Sequence, residues 1–105
     1  MRIIETPIFT KRVLEILSAE EYHLFQIELI QNPKVGKIIG GSAGIRKIRW
    51  SGSGRGKSGG SRILYYWHAG ESQIIMLFIF RKNERDDLTK EQLKTLKTIV
   101  ESEYK

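Results

Sequence analysis

Four basic side chains carry the strongest chemical signal in this sequence. Lys47 and Arg49 stand two apart in Arg46-Lys47-Ile48-Arg49-Trp50, a run that alternates charged and apolar residues as a half-buried strand does. Arg62 opens a second strand-like run, Arg62 to His68, and Lys82 follows at the end of a third, Gln73 to Arg81. If these runs are antiparallel neighbours, four cations converge on one patch of a sheet. Tyr65, Tyr66 and Trp67 add aromatic rings to the same sheet. Tyr65 and Trp67 share a face and read as core, whereas Tyr66 points the other way and is the candidate to face a ligand. Cations that hold phosphates, beside rings on which bases stack, suit RNA.

The distribution of charge agrees. The chain has eighteen Lys and Arg, twelve Asp and Glu, and a formal net charge of +6 over 105 residues. Leu29 to Gly70 contains eight basic residues and no acidic one, while the remainder is slightly acidic. A one-signed, arginine-bearing island in a nearly neutral protein points to a polyanion, with nucleic acid ahead of a membrane surface. The length fits one domain spanning 1–105.

Other chemistries lack their residues. There is no cysteine, hence no disulfide framework, thiol nucleophile or thiolate metal site, and the two histidines, His23 and His68, do not suggest zinc. Neither histidine sits in a nucleophile elbow. Gly54-Arg55-Gly56-Lys57-Ser58-Gly59 matches a dinucleotide-binding string, but a strand rather than a helix is expected after it, so the phosphate-holding helix N-terminus is missing. We read Ser51 to Ser61 as a basic, glycine-rich hairpin loop whose Arg55 and Lys57 can follow a phosphate backbone. The apolar run Ile74 to Phe80 is too short to cross a bilayer, and the N-terminus resembles no leader, so the expected location is cytoplasmic.

The elements that must hold the cations follow from periodicity and caps. Arg2 to Glu5 is a short strand ended by Pro7. Thr10 is the expected cap of a first helix bearing Val13, Leu14, Ile16 and Leu17. Ser18-Ala19-Glu20-Glu21 is a capping box for a second helix, which runs through Tyr22, Phe25 and Leu29 and stops at Asn32-Pro33. Gly36 to Gly44 reads as loop. Leu88-Thr89-Lys90-Glu91-Gln92 opens a C-terminal helix with Leu93, Leu96 and Tyr104 on its apolar face. Glu84 to Asp87 reads as a solvated turn. Ile74 to Phe80, apolar on both faces, is expected to be the buried central strand. The sum is an α+β domain of about four strands in a small, largely antiparallel sheet, with two N-terminal helices and a C-terminal helix covering one face.

Read in order, Ile45-Arg-Lys-Ile-Arg-Trp50, the basic glycine loop, Gly60-Ser-Arg-Ile-Leu-Tyr-Tyr66 and Phe80-Arg-Lys-Asn-Glu84 resemble the RelE/HigB toxins of bacterial type II toxin–antitoxin modules, within the RelE/ParE superfamily. The resemblance covers essentially the whole chain. It implies a microbial RNase fold, with a twisted antiparallel sheet carrying helices on one face, and ribosome-dependent cleavage of mRNA in the A site. It implies a monomeric toxin held by a cognate antitoxin of HigA-like, helix-turn-helix type, with no cofactor and no metal. Lys47 and Arg49 match the paired basic positions of the second family strand, Arg62 the arginine on the scissile phosphate, and Lys82 the basic residue ending the fourth strand. Asn83 stands where RelE has an arginine, and Thr89 where RelE has a catalytic tyrosine. Arg46, Arg55, Lys57, Tyr66 and Asn83 complete the expected RNA contacts.

On this reading the RNA 2′-hydroxyl attacks the adjacent phosphorus, and a 2′,3′-cyclic phosphate and a 5′-hydroxyl form. Lys47 is the expected base, because a lysine crowded by cations gives up its proton more readily. Arg49 assists it, Arg62 holds the phosphorane oxygens, and Lys82 serves the leaving group. Two alternatives remain: a ParE-like poison of DNA gyrase, which would not need four converging cations, and a basic RNA-binding module without catalysis.

Overall fold

The computed structural model describes residues 1–50, 60–82, 84 and 87–104. The chain runs β1 (Arg2–Glu5), α1 (Pro7–Ile16), α2 (Ala19–Gln31), β2 (Lys37–Ile38), β3 (Ile45–Trp50), β4 (Ser61–His68), β5 (Gln73–Arg81) and α3 (Lys90–Ile99). A 3₁₀ turn (Ala69–Glu71) joins β4 to β5, and α3 loosens into a π turn over Val100–Tyr104. The strands form one five-stranded sheet in the order β1-β5-β4-β3-β2. Among the described residues β1 is parallel to its neighbour and the other three pairings are antiparallel.

Most local signals act as read. Ser18 closes its capping box with Glu21, Thr89 closes another with Gln92, and Asn32 ends α2. The cap of α1 is Thr6, not Thr10. Pro7 fits the first helical position, where its missing N–H would have no partner anyway, and the Thr6 hydroxyl accepts from the Phe9 amide at 3.2 Å. Thr10 turns back instead and donates to Glu5 at 2.6 Å. The loop expected over Gly36 to Gly44 contains β2. β5 is interior and apolar on both sides, as expected, but β4 occupies the middle of the order.

The helices do not share one face. Phe9 and Val13 of α1, Leu17, and Phe25 and Leu29 of α2 close one side of the sheet over Ile63, Tyr65, Ile74, Met76 and Ile79. Leu96 and Val100 close the other side over Ile45, Leu64, Ile75, Leu77 and Phe80. That is why β5 must be apolar all round: each alternating set of its side chains meets a helix layer. Where β1 ends, β5 becomes an edge. Its orphaned carbonyls are met by side chains, Leu77 O by the Thr6 hydroxyl at 3.0 Å and Ile79 O by Arg12 Nε at 2.9 Å.

Candidate functional site

α3 reaches only part of its face. Strand alternation puts Ile45, Lys47 and Arg49 on the α3 side of β3, and Arg46, Ile48 and Trp50 on the α1/α2 side. Ile45 lies under α3, and the two cations emerge beyond its cover. Arg49 is directly opposite Arg62 of β4, and Lys47 is directly opposite Lys37 of β2. Cross-strand partners project from the same side of a sheet, so the register sets Lys37, Lys47, Arg49 and Arg62 side by side. They line a cleft of about 320 Å³ together with Val35 and Ile48. Leu64, the partner of Lys47, is fully buried in the α3 core. The cations therefore border apolar, weakly polarisable material on one side, which strengthens their field toward the cleft.

One carboxylate enters this group. Asp87 accepts from Lys47 Nζ at 2.9 Å through Oδ2 and from the Leu88 amide at 2.8 Å through Oδ1. Burial alone would push the Asp87 carboxyl up. The Lys47 hydrogen bond, the Leu88 amide and the charges of Lys47 and Arg62 outweigh it and hold the group below its usual range. Both partners remain open to water, with side chains 34% and 56% exposed for Lys47 and Asp87.

Two clamps fix the approach to the cleft. The buried Tyr65 hydroxyl donates to Pro33 O at 2.7 Å and accepts from the Gly36 amide at 2.9 Å, which pins the segment leading into Lys37. Burial pushes the Tyr65 hydroxyl up, against smaller opposing effects of the Gly36 amide and the Arg46 charge. A Cβ on Gly36 would meet the Tyr65 ring and hydroxyl at 2.9 Å, so only glycine allows this approach. After β5, Glu84 accepts from the Arg81 amide and from Arg12 of α1, each at 2.8 Å, which ties the turn back to the first helix. The Arg81 amide is the main influence holding the Glu84 carboxyl below its usual range; burial opposes it, and the Arg12 and Arg81 charges add to it.

The structure brings together Lys47, Arg49 and Arg62 and adds Lys37, which sequence reading left in a loop. The signal for Lys37 is pairing across a glycine loop, which single-strand periodicity does not report. Asp87, read as part of a solvated turn, was also missed. Its place is set by the Thr89 cap two residues on and by Leu88, which packs against the α3 core. Lys82 directly follows β5 and is exposed; its amide extends the ladder to Gly60 O at 3.2 Å, but it does not line the cleft. Arg46 lies on the opposite face, and its Nη1 donates to Gly36 O at 2.7 Å and Lys34 O at 3.2 Å. Tyr66 shares the face of Arg62 but stands four residues along the strand, about 13 Å away. It is half-buried beside the α3 core, with its ring 5.9 Å from that of His68. Arg55, Lys57 and Asn83, and most of the Ser51 to Ser61 loop, lie outside the described residues. Among the described residues no group of three or more His, Cys, Asp or Glu is gathered to hold a metal, and no helix is long and apolar enough to cross a membrane.

The class that the fold and site define is a small α+β domain whose sheet carries a cationic cleft lined by Lys37, Lys47, Arg49 and Arg62. Residues 1–104 match the family model described as the RelE toxin of the RelE/RelB toxin–antitoxin system, and the chain belongs to the RelE toxin family. A doubly substituted E. coli toxin RelE in the free state superposes with a TM-score of 0.62 at 12% identity, covering 91% of this chain and 92% of that one. The intact E. coli RelBE toxin–antitoxin complex provides a second match, with a TM-score of 0.58 at 16% identity over 75% of this chain and 93% of that one. At these identities the superpositions show the fold.

Proposed function

We propose that this protein is a ribosome-dependent endoribonuclease, the toxin of a toxin–antitoxin pair, which cleaves mRNA in the A site and thereby stops translation. The observation that carries this reading is the register itself: Arg49 opposite Arg62 and Lys47 opposite Lys37, four cations lining one cleft. A phosphodiester entering it meets guanidinium forks from two strands, with geometry suited to the non-bridging oxygens.

The chemistry needs a base, an acid and a group of charges. The 2′-hydroxyl oxygen forms a bond to phosphorus as its proton leaves, and the bond to the 5′-oxygen breaks as that oxygen gains a proton. Arg49 and Arg62 stabilise the charge of the phosphorane. Lys47 is the candidate base, with Lys37, Arg49 and Arg62 beside it in the cleft. Its ammonium donates to Asp87 in the free protein, so the side chain must leave that carboxylate and give a proton to solvent before its amine can accept the one from the 2′-hydroxyl. Lys82, exposed at the end of β5 and outside the cleft lining, is the candidate to serve the 5′-oxygen. A cognate antitoxin is the expected partner, in keeping with the RelBE complex of the matching fold.

Primer extension on a defined message, in a bacterial translation reaction with and without ribosomes, tests the proposal. Discrete new 5′ ends within codons, dependent on ribosomes, are expected. Arrested translation with intact message would replace the reading by RNA binding without catalysis. No effect on either, with loss of gyrase supercoiling, would replace it by a gyrase poison.

A further inference from the structure

We propose that Asp87 is the resident counter-anion of the cationic cleft: it holds the Lys47 ammonium until an RNA phosphate takes its place, and so sets how tightly the cleft binds RNA. This rests on the reading of the cleft as an RNA site. Among the described residues the ion pairs are Arg12–Glu84, on the tethered turn, and Lys47–Asp87, at the cleft. Asp87 is thus an anion that the fold itself brings to Lys47, inside a cleft lined by cations. It stands just ahead of α3, whose cap at Thr89 and contact at Leu88 fix the two residues that follow it.

The geometry favours exchange over a permanent lock. The pair is half open to water, where an ion pair holds weakly and yields to a competing anion. Among the cations of the cleft, Asp87 hydrogen-bonds Lys47, while the Arg62 charge acts on it as well. A phosphate seated between β3 and β4 would share its oxygens among Lys47, Arg49 and Arg62 together. Loose RNA must compete with a carboxylate tethered beside its target, whereas RNA held in place by another body starts with that advantage. The resident anion therefore lowers affinity for free RNA without closing the site.

The test is binding of an unstructured RNA oligonucleotide, without ribosomes, by fluorescence anisotropy over a salt series. Asp87→Asn keeps an oxygen for the Leu88 amide but not the charge. It should bind about two- to fivefold tighter than the unsubstituted chain. Its slope of log K against log salt should be steeper by about 0.7, the value for one further cation on a single strand. Glu28→Gln, which removes one charge from the exposed side of α2 behind the sheet, controls for net charge and should match the unsubstituted chain. In a Lys47→Met background Asp87→Asn should lose most of its effect, and thermal unfolding checks the fold of every variant. Equal affinity and slope for Asp87→Asn, or an equal gain for Glu28→Gln, would overturn the proposal. Message cleavage is scored separately: no cleavage by the unsubstituted chain removes the nuclease reading and leaves this result standing, whereas cleavage with an unchanged slope removes the counter-anion alone. RNA binding by none of the proteins overturns both.

Discussion

The two sides of the sheet are built to opposite ends. The side under α1 and α2 is closed by Phe9, Phe25, Leu29 and Tyr65, all fully buried. Its polar groups serve structure: Tyr65 holds Pro33 and Gly36, Tyr22 donates to Glu5 at 2.5 Å, and Arg46 is spent on loop carbonyls. The side under α3 is closed only over Ile45, Leu64, Ile75, Leu77 and Phe80, and beyond that cover it presents cations to solvent. A closed core and an open cationic cleft thus occupy different faces of the same strands. Because side chains alternate, residues adjacent in sequence belong to different jobs: Arg46 braces a loop while Lys47 faces the cleft.

That separation breaks if substitutions on the two sides have similar effects. Arg62→Ala should lower ribosome-dependent cleavage by at least about 100-fold, the cost of removing one donor to a developing oxyanion. Its unfolding free energy should stay within about 1 kcal/mol of the unsubstituted chain. Phe25→Ala, which deletes the ring packed on Trp50 at 5.3 Å between centroids, should cost about 3–5 kcal/mol in urea denaturation. The molecules that remain folded should cleave normally.

Smaller effects sharpen the contrast. Tyr65→Phe strips the partners of Gly36 N and Pro33 O and should cost about 1–3 kcal/mol by the same measurement. It should also weaken RNA binding modestly, because the segment it pins leads into Lys37. Thr6→Ala removes the cap of α1 and should cost about 1 kcal/mol with cleavage unchanged. The pH profile separates the faces least. Glu84 and Asp87 have folded carboxyl values depressed below the unfolded ones. Their stabilisation is fully present above the unfolded value of about 4 and is lost as pH falls through the lower folded values. Thermal unfolding should therefore be nearly flat above about pH 5 and decline below about pH 4. Glu84→Gln should make that decline shallower.

Much of this was legible in the residues. The capping boxes at Ser18 and Thr89 placed two helices, and the alternation in Arg46 to Trp50 placed Lys47 and Arg49 on one face, because these signals are local. The parallel pairing of β1 with β5 was not legible, since no turn links the two strands. Nor was the division of the helices between two faces, though the all-round apolar character of β5 held the clue: a strand buried on both sides needs a layer on each. Thr10 was a plausible cap until Pro7 is weighed, because proline favours the first helical turn. Lys37 and Asp87 escaped for a common reason. Each reaches Lys47 through a contact across the fold, Lys37 by a two-residue edge strand and Asp87 by an ion pair spanning forty positions.

The most direct test of the account is a matched comparison of the unsubstituted chain with Lys47→Ala, Arg49→Ala and Arg62→Ala. Each would be added at equal concentration to a ribosome-programmed message, with 5′ ends mapped by primer extension. The account predicts discrete ribosome-dependent cuts from the unsubstituted chain, and their loss in all three variants while thermal unfolding shows them folded. Undiminished cutting by folded Arg62→Ala would contradict the assignment of the cleft as the place where the message is cleaved.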